Sequence, residues 1–232
     1  MTMLEQIVYR DGETALTGWF ARPAGSPRAA VAVYPTFMNK TPGVEVKARA
    51  LVAAGYAVLI GDFYGPAAPH DFESANTAMM DLRADPLAMR TRLVATLTAL
   101  EGLVPGVPQV AIGFCLGGMA VLELARAGHD LALVASFHGL LQTPLPAHQP
   151  IKPRILVCHG DADFLVPRSH VLAFWEEMDT VGANWHFHSY AGVDHGFTNP
   201  LTPAGSPNPS FDASANQQSW TALLSLLDEV LG

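Results

Sequence analysis

The residues whose types and spacing could do covalent chemistry lie in one short string, Gly113-Phe114-Cys115-Leu116-Gly117-Gly118. An apolar segment over 108–112 precedes the string and predicts a buried strand, and good helix formers follow it as far as Gly128. Cys115 should therefore lie in a sharp strand-to-helix turn. The flanking glycines fit that turn because a Cβ at either position would collide with a neighbouring element. The pattern predicts a nucleophile elbow that carries cysteine in place of serine.

The predicted turn also suits a thiol chemically. Unpaired backbone N–H groups and the positive end of the helix dipole favour a thiolate over a thiol. The N–H of Leu116 would point at an oxyanion forming on an attacked carbonyl. The alternative is that Cys115 is an ordinary buried cysteine in a glycine-rich turn, because short motifs recur by accident.

A nucleophilic cysteine needs a base beside it and an acid that orients the base. A predicted strand over 155–159 leads into a loop that contains Asp161 and Asp163, and a strand over 185–190 leads into a glycine-lined loop that contains His195. Taken singly, such an aspartate is more often a turn residue and such a histidine a surface residue. Nucleophile, acid and base in that order, each after a strand, together predict a catalytic triad in which either aspartate could be the acid.

Length and composition limit the possible classes of protein. The chain has 232 residues, enough for one domain with a large core, and a formal net charge of −8 without any run of Lys or Arg. Nucleic acid and anionic membranes are therefore not expected partners. No apolar stretch approaches a membrane span, and the first ten residues do not have the order of a signal peptide. Two cysteines suit a reducing compartment, so we expect a cytoplasmic protein.

The hydrophobic pattern alternates between strands and helices after an opening hairpin over 4–10 and 16–22. Further strands are predicted at 28–34, 56–61, 108–112, 131–137, 155–159 and 185–190. Helices are predicted from Thr41-Pro42 to about Ala54 and over 85–101, 119–127, 171–181 and 213–231, with a loop after Asp62-Phe63-Tyr64-Gly65. This order predicts a single α/β domain over 1–232, with a mainly parallel sheet and helices on both faces.

The chain resembles the dienelactone hydrolase family, a branch of the α/β-hydrolases that uses a Cys-His-Asp triad. The resemblance is carried by the strings at 113–118, 160–167 and 194–197, with support from 54–65. It implies the α/β-hydrolase fold, with Cys115 as nucleophile, His195 as base and Asp163 as the acid. It also implies that the backbone N–H groups of Leu116 and Thr36 form the oxyanion hole.

Two positions depart from the dienelactone-type pattern. Members of that type have a glutamate just after the third strand, where this chain reads Tyr34-Pro35-Thr36-Phe37. They also have an arginine that binds the substrate carboxylate at the position of Asn199. Arg83 lies where a second such arginine would fall, although an exposed arginine at a helix edge explains it equally. We therefore expect neutral esters or lactones to be hydrolysed at least as well as a carboxylate-bearing dienelactone.

The expected function is hydrolysis of a small-molecule ester or lactone through a thioester acyl-enzyme, without a cofactor or a metal, in a monomer or small homo-oligomer. The alternatives are a redox-sensing or otherwise non-catalytic thiol protein, and a short-chain carboxylesterase or thioesterase. Cys158 lies in an apolar strand and is expected to be an inert core residue. The candidate substrate-binding residues, some of which could equally be core residues, are Phe37, Tyr64, Arg83, Phe197 and Asn199.

Overall fold

In the computed structural model, an eight-stranded sheet runs through the described residues, 3–202 and 205–232. The strands are β1 (Glu5–Asp11), β2 (Thr14–Ala21), β3 (Ala30–Tyr34), β4 (Ala57–Ile60), β5 (Gln109–Phe114), β6 (Leu133–Phe137), β7 (Arg154–Gly160) and β8 (Trp185–Tyr190). Their order is β1-β2-β4-β3-β5-β6-β7-β8. β2 pairs antiparallel with β1 and β4, and the remaining pairs are parallel. The predicted fold class is confirmed.

The helices of the described residues are α1 (Pro42–Ala53), α2 (Phe72–Ala84), α3 (Pro86–Leu103), α4 (Leu116–Arg126), α5 (Arg168–Thr180) and α6 (Ala213–Leu231). None of these helices is both long and apolar enough to cross a membrane. The α1 start follows the prediction, because the Thr41 side chain accepts a hydrogen bond from the Val44 N–H and Pro42 occupies the first turn.

The loop predicted after Gly65 is present but ends at Asp71, and the helix that follows it, α2, was not predicted. Asp71 caps this helix: its carboxylate accepts from the Ser74 N–H at 2.8 Å, and its own N–H donates to the Ser74 hydroxyl at 3.1 Å. Only Ala75 is fully buried along the helix. The hydrophobic periodicity that reveals a helix in sequence is therefore weak in this segment.

The sheet separates two hydrophobic cores, and the alternation of side chains along β3 shows the division. Ala30, Ala32 and Tyr34 face a core formed with α3, α4 and α5, whereas Val31 and Val33 face a core formed with α1 and α6. Because β3 and β5 to β8 are parallel, their carboxyl ends meet at one edge of the sheet. The loops that carry the candidate chemistry all leave from that edge.

Candidate active site

Cys115 lies between β5 and α4 in a conformation that few non-glycine residues adopt, with φ 56° and ψ −113°. Its backbone N–H donates to the Phe137 carbonyl at 3.0 Å and faces Nδ1 of His138 at 3.1 Å. These contacts to the end of β6 hold the strained turn in place. The thiol consequently stands at the N-terminus of α4, as the elbow motif predicts.

Two glycines allow the elbow to pack closely. A Cβ on Gly113 would lie 2.0 Å from the Gly117 carbonyl oxygen, and a Cβ on Gly117 would lie 2.0 Å from the Tyr34 carbonyl oxygen. Neither clash could be relieved by moving a side chain, because both partners are backbone atoms. The Gly117 N–H instead donates to the Pro35 carbonyl at 2.9 Å, which ties α4 to the loop after β3.

His195 and Asp163 are brought together by the loops after β8 and β7. Nδ1 of His195 lies 2.7 Å from Oδ2 of Asp163, whose other oxygen accepts from the Leu165 N–H at 2.9 Å. The Asp163 side chain is buried, whereas the His195 ring keeps some exposure. Burial alone would lower the pKa of His195, but interactions with Asp163 and the Cys115 thiol outweigh it and raise this pKa to about 10.

The structure separates the two aspartates that compete in sequence. Asp161 accepts two hydrogen bonds from the Arg168 guanidinium, at 3.0 and 2.6 Å. The bonds from Arg168 hold the pKa of the Asp161 carboxyl below its usual value. Of the two, Asp163 alone contacts His195.

The two cysteines differ in environment. Cys115 is partly exposed, whereas Cys158 is buried in β7, where desolvation raises the pKa of its thiol to about 12. A thiol in that environment is unreactive at neutral pH.

A cavity of about 230 Å³ opens in front of Cys115 and His195. Its walls come from the loop after β3, the start of α1, the elbow, and the loops after β6 and β8. The lining residues in the described part of the chain include no Asp or Glu; they are Thr36, Phe37, Met38, Thr41, Gly43, Val44, Lys47, Phe114, Cys115, His138, His195, Gly196, Thr198, Asn199, Leu201, Thr202 and Asn208. Besides His138, the described lining therefore contains two basic side chains, Lys47 and His195, and no carboxylate.

The loop after β3 is fixed by its own hydrogen bonds. Thr36 pairs with Asn39 in an isolated bridge, in which the Asn39 N–H donates to the Thr36 carbonyl at 2.9 Å. The Asn39 amide in turn donates to the buried carboxylate of Asp62 at 2.9 Å. Behind the loop, the Tyr64 hydroxyl donates to the Phe37 carbonyl at 2.8 Å. The positions of Thr36 and Phe37 at the cavity are thus set by buried polar contacts.

The predicted substrate-binding residues are divided by the structure. Phe37 and Asn199 line the cavity, and the buried Tyr64 supports it from behind. Phe197 has 0% exposure and packs edge-on against His138, with ring centroids 5.4 Å apart, so it offers no surface to a substrate. Arg83 lies near the end of α2 with its surface exposed, outside the residues described for the cavity. The predictions of substrate contact for Phe197 and Arg83 find no support in this geometry.

His138 belongs to the site, although the sequence analysis gave it no role. It follows β6, with φ 41°, and its ring centroid lies 5.2 Å from that of His195. Because Nδ1 faces the Cys115 N–H, the ring proton belongs on Nε2, which lies 2.9 Å from the Thr198 hydroxyl. Burial, followed by the charge of His195, lowers the pKa of His138 well below its usual value, so this ring is neutral. Its place directly after a predicted strand was the available signal.

Lys47 is a second residue of the site for which no role was predicted. It lies on α1 with Val44, Ala48 and Leu51, at the three- and four-residue spacing of the buried face. A lysine on the apolar stripe of a predicted helix was the signal that could have found it.

Taken together, these features define the class of protein. A mainly parallel sheet with a nucleophile elbow after β5, and with acid and histidine loops after later strands, is the architecture of an α/β-hydrolase. The model of the dienelactone hydrolase family matches residues 16–231. The chain belongs to the dienelactone hydrolase family.

Similar proteins agree with this membership. A dienelactone hydrolase-like promiscuous phosphotriesterase from metagenomic libraries is 32% identical, with a TM-score of 0.89 over 100% of this chain and 99% of its own. A structure named m3DLH is 33% identical, with a TM-score of 0.91 over the same shares. An uncharacterized protein of Caenorhabditis elegans is 39% identical over 149 residues, which are 61% of this chain and 93% of that protein.

Proposed function

We propose that this protein hydrolyses an ester or lactone of a small molecule, with Cys115 as nucleophile, His195 as acid and base, and Asp163 as the residue that orients His195. The observation that carries the proposal is the 2.7 Å contact between a buried carboxylate and His195, whose ring interacts with the thiol at the elbow. Family membership supports hydrolase chemistry, and a cavity of about 230 Å³ lies in front of the thiol.

The first half-reaction forms a thioester. The Cys115 thiolate attacks the carbonyl carbon, and the oxyanion that results accepts hydrogen bonds from the N–H groups of Leu116 and Thr36. Collapse of this intermediate breaks the carbon–oxygen bond to the leaving group. The departing alkoxide takes a proton from the His195 imidazolium, which leaves a neutral imidazole and an acyl group on sulfur.

The second half-reaction releases the acid. Neutral His195 accepts a proton from water as the water oxygen attacks the thioester carbonyl. The new tetrahedral intermediate expels the Cys115 thiolate and yields the carboxylic acid, which loses its proton to solvent. The thiolate and the imidazolium of His195 are then restored for the next turnover.

The same ion pair is proposed for the resting enzyme. A pKa of about 10 keeps His195 protonated at neutral pH, and an imidazolium stabilises an adjacent thiolate. Glu45, in the first turn of α1, is the acid that could replace the glutamate missing after β3. Its carboxylate instead pairs with Lys40 and Arg49, which lowers its pKa.

The proposed setting is the cytoplasm. The support is that both cysteines are unpaired, and that a reactive thiol persists best in a reducing compartment.

Trapping of the acyl-enzyme tests the mechanism directly. The protein is mixed with p-nitrophenyl acetate, quenched with acid within the first turnovers and digested for mass spectrometry. Acetyl should be found on the peptide that contains Cys115, and Cys158→Ala, the matched control, should retain the label. Ester turnover at an unchanged rate in Cys115→Ala would contradict the proposal.

A further inference from the structure

Lys47 is a half-buried cation in the wall of the catalytic cavity. Its ammonium donates to the amide oxygen of Asn216 at 2.7 Å and lies 4.6 Å from the centroid of the Trp220 ring. Both contacts come from α6, and neither partner carries a charge. They hold the end of the side chain in place without neutralising it.

The charge of Lys47 has no counter-ion within the part of the chain that the structure describes. Desolvation lowers its pKa to about 8, and no carboxylate acts against that effect. Lys40, by contrast, forms an ion pair with Glu45 outside the cavity. An ammonium that is partly removed from water without a counter-ion costs free energy, and such groups are concentrated at ligand-binding sites.

The position of Lys47 links it to the reacting centre. A second cavity, of about 250 Å³, adjoins the first, and Lys47, Thr198 and Asn199 line both. Lys47 therefore borders both cavities, and the first of them is also lined by Cys115 and His195. The described residues that line the second cavity also include no Asp or Glu.

We propose that Lys47 is an anion-binding residue of this site, and that the preferred substrate is an ester with a second, negatively charged group such as a carboxylate, which Lys47 binds while the ester carbonyl lies at Cys115. The inference rests on the proposed function, and it replaces the expectation, drawn from Asn199, that neutral substrates are favoured. The negative group of the substrate supplies the counter-charge that Lys47 does not have among the described residues. The side-chain amide of Asn199 lines the same cavities and is available to the anion as well.

The test compares two substrates that differ in one charge, mono-p-nitrophenyl succinate and its methyl ester. The measured quantity is the ratio of kcat/KM for the anionic ester to that for the neutral ester. Lys47→Met should lower this ratio by about tenfold or more, because a charged partner of the anion is lost. Lys47→Arg should retain most of the ratio, and Lys40→Met, the matched control, should leave it unchanged.

The same ratio of kcat/KM values, measured with the unmodified enzyme across a series of pH values, is a second test of the role of Lys47. The ratio should fall as pH rises through about 8, where Lys47 loses its charge, and Lys47→Arg should remove this fall. Two histidines also line this cavity: His138, which is neutral because its pKa is well below the usual value, and His195, which stays charged through this range because its pKa is about 10, so neither accounts for a change near pH 8.

The anion subsite and the hydrolase mechanism can be contradicted separately. If the enzyme hydrolyses both esters but Lys47→Met leaves their ratio unaltered, the anion subsite is wrong and the hydrolase mechanism stands. If neither ester is hydrolysed, or if hydrolysis persists in Cys115→Ala, the proposed function itself is wrong.

Discussion

The loops after β6 and β8 each place a histidine beside Cys115, yet their two rings have opposite properties. His195 contacts the buried carboxylate of Asp163, and its pKa is raised to about 10. His138 contacts a backbone N–H and a hydroxyl, and burial lowers its pKa well below the usual value. The ring centroids are only 5.2 Å apart. The pKa of each histidine is therefore determined by the groups that its ring contacts and not by its distance from Cys115. Those contacts determine which histidine can exchange a proton at neutral pH.

The largest expected effect comes from removing the charged ring. His195→Ala should lower kcat/KM for p-nitrophenyl acetate by about a thousandfold or more, since both the proton donor and the proton acceptor are lost. Thermal melting should show that the fold is retained. A residual rate within about tenfold of the unmodified enzyme would show that His195 is not the base.

Removal of the Asp163 carboxylate, which contacts His195 and not His138, should have the next largest effect. Asp163→Asn should cost on the order of a hundredfold in kcat, because the His195 imidazolium loses its buried carboxylate. Asp161→Asn is the matched control, since Asp161 pairs with the exposed Arg168. A greater loss in Asp161→Asn than in Asp163→Asn would reverse the assignment of the acid.

His138 should affect the reaction only by holding Cys115 in position, because its ring is neutral. His138→Leu removes the acceptor that faces the Cys115 N–H, and we expect kcat to fall by about tenfold with little change in KM. The pH profile should keep its shape, because His138 carries no charge at neutral pH. Loss of an inflection from that profile would show that His138 takes part in proton transfer. His138→Gln, which can still accept the hydrogen bond, should recover part of the rate.

The smallest effect on activity is expected from a change at Arg83, which lies outside the cavity. Arg83→Ala should change kcat/KM for either succinate ester by less than about twofold, because exposed charges away from a site contribute little. A selective loss for the anionic ester would mean that Arg83 reaches the substrate, as the sequence comparison first allowed.

The sequence was sufficient for features that local patterns encode. The elbow, β8 and α6 were predicted because glycine spacing and hydrophobic periodicity are local properties. Local patterns could not decide whether Asp161 or Asp163 is the triad acid. Both lie in one loop, and only tertiary packing determines which of them contacts the histidine. Phe197 was misread for the same reason, since aromatic residues after strands can face either a cavity or a core.

The site residues that were not predicted depend on contacts between distant parts of the chain. His138 acquires its role from contacts with the elbow and with Thr198, which lie far from it in sequence. Lys47 meets its partners on α6 only in the folded chain. Residues that do chemistry follow recognisable motifs, whereas the residues that position them or recognise substrate are assembled from distant segments.

The protonation states of the two histidines can be measured together by long-range proton–nitrogen NMR of the ring nitrogens across pH, with His138→Gln and His195→Ala for assignment. We predict that His195 carries both ring protons until the pH approaches about 10, and that it loses one of them at lower pH in Cys115→Ala and in Asp163→Asn. His138 should show a single proton on Nε2 throughout. Titration of His195 near its ordinary value of 6.5 in the unmodified protein would contradict the account.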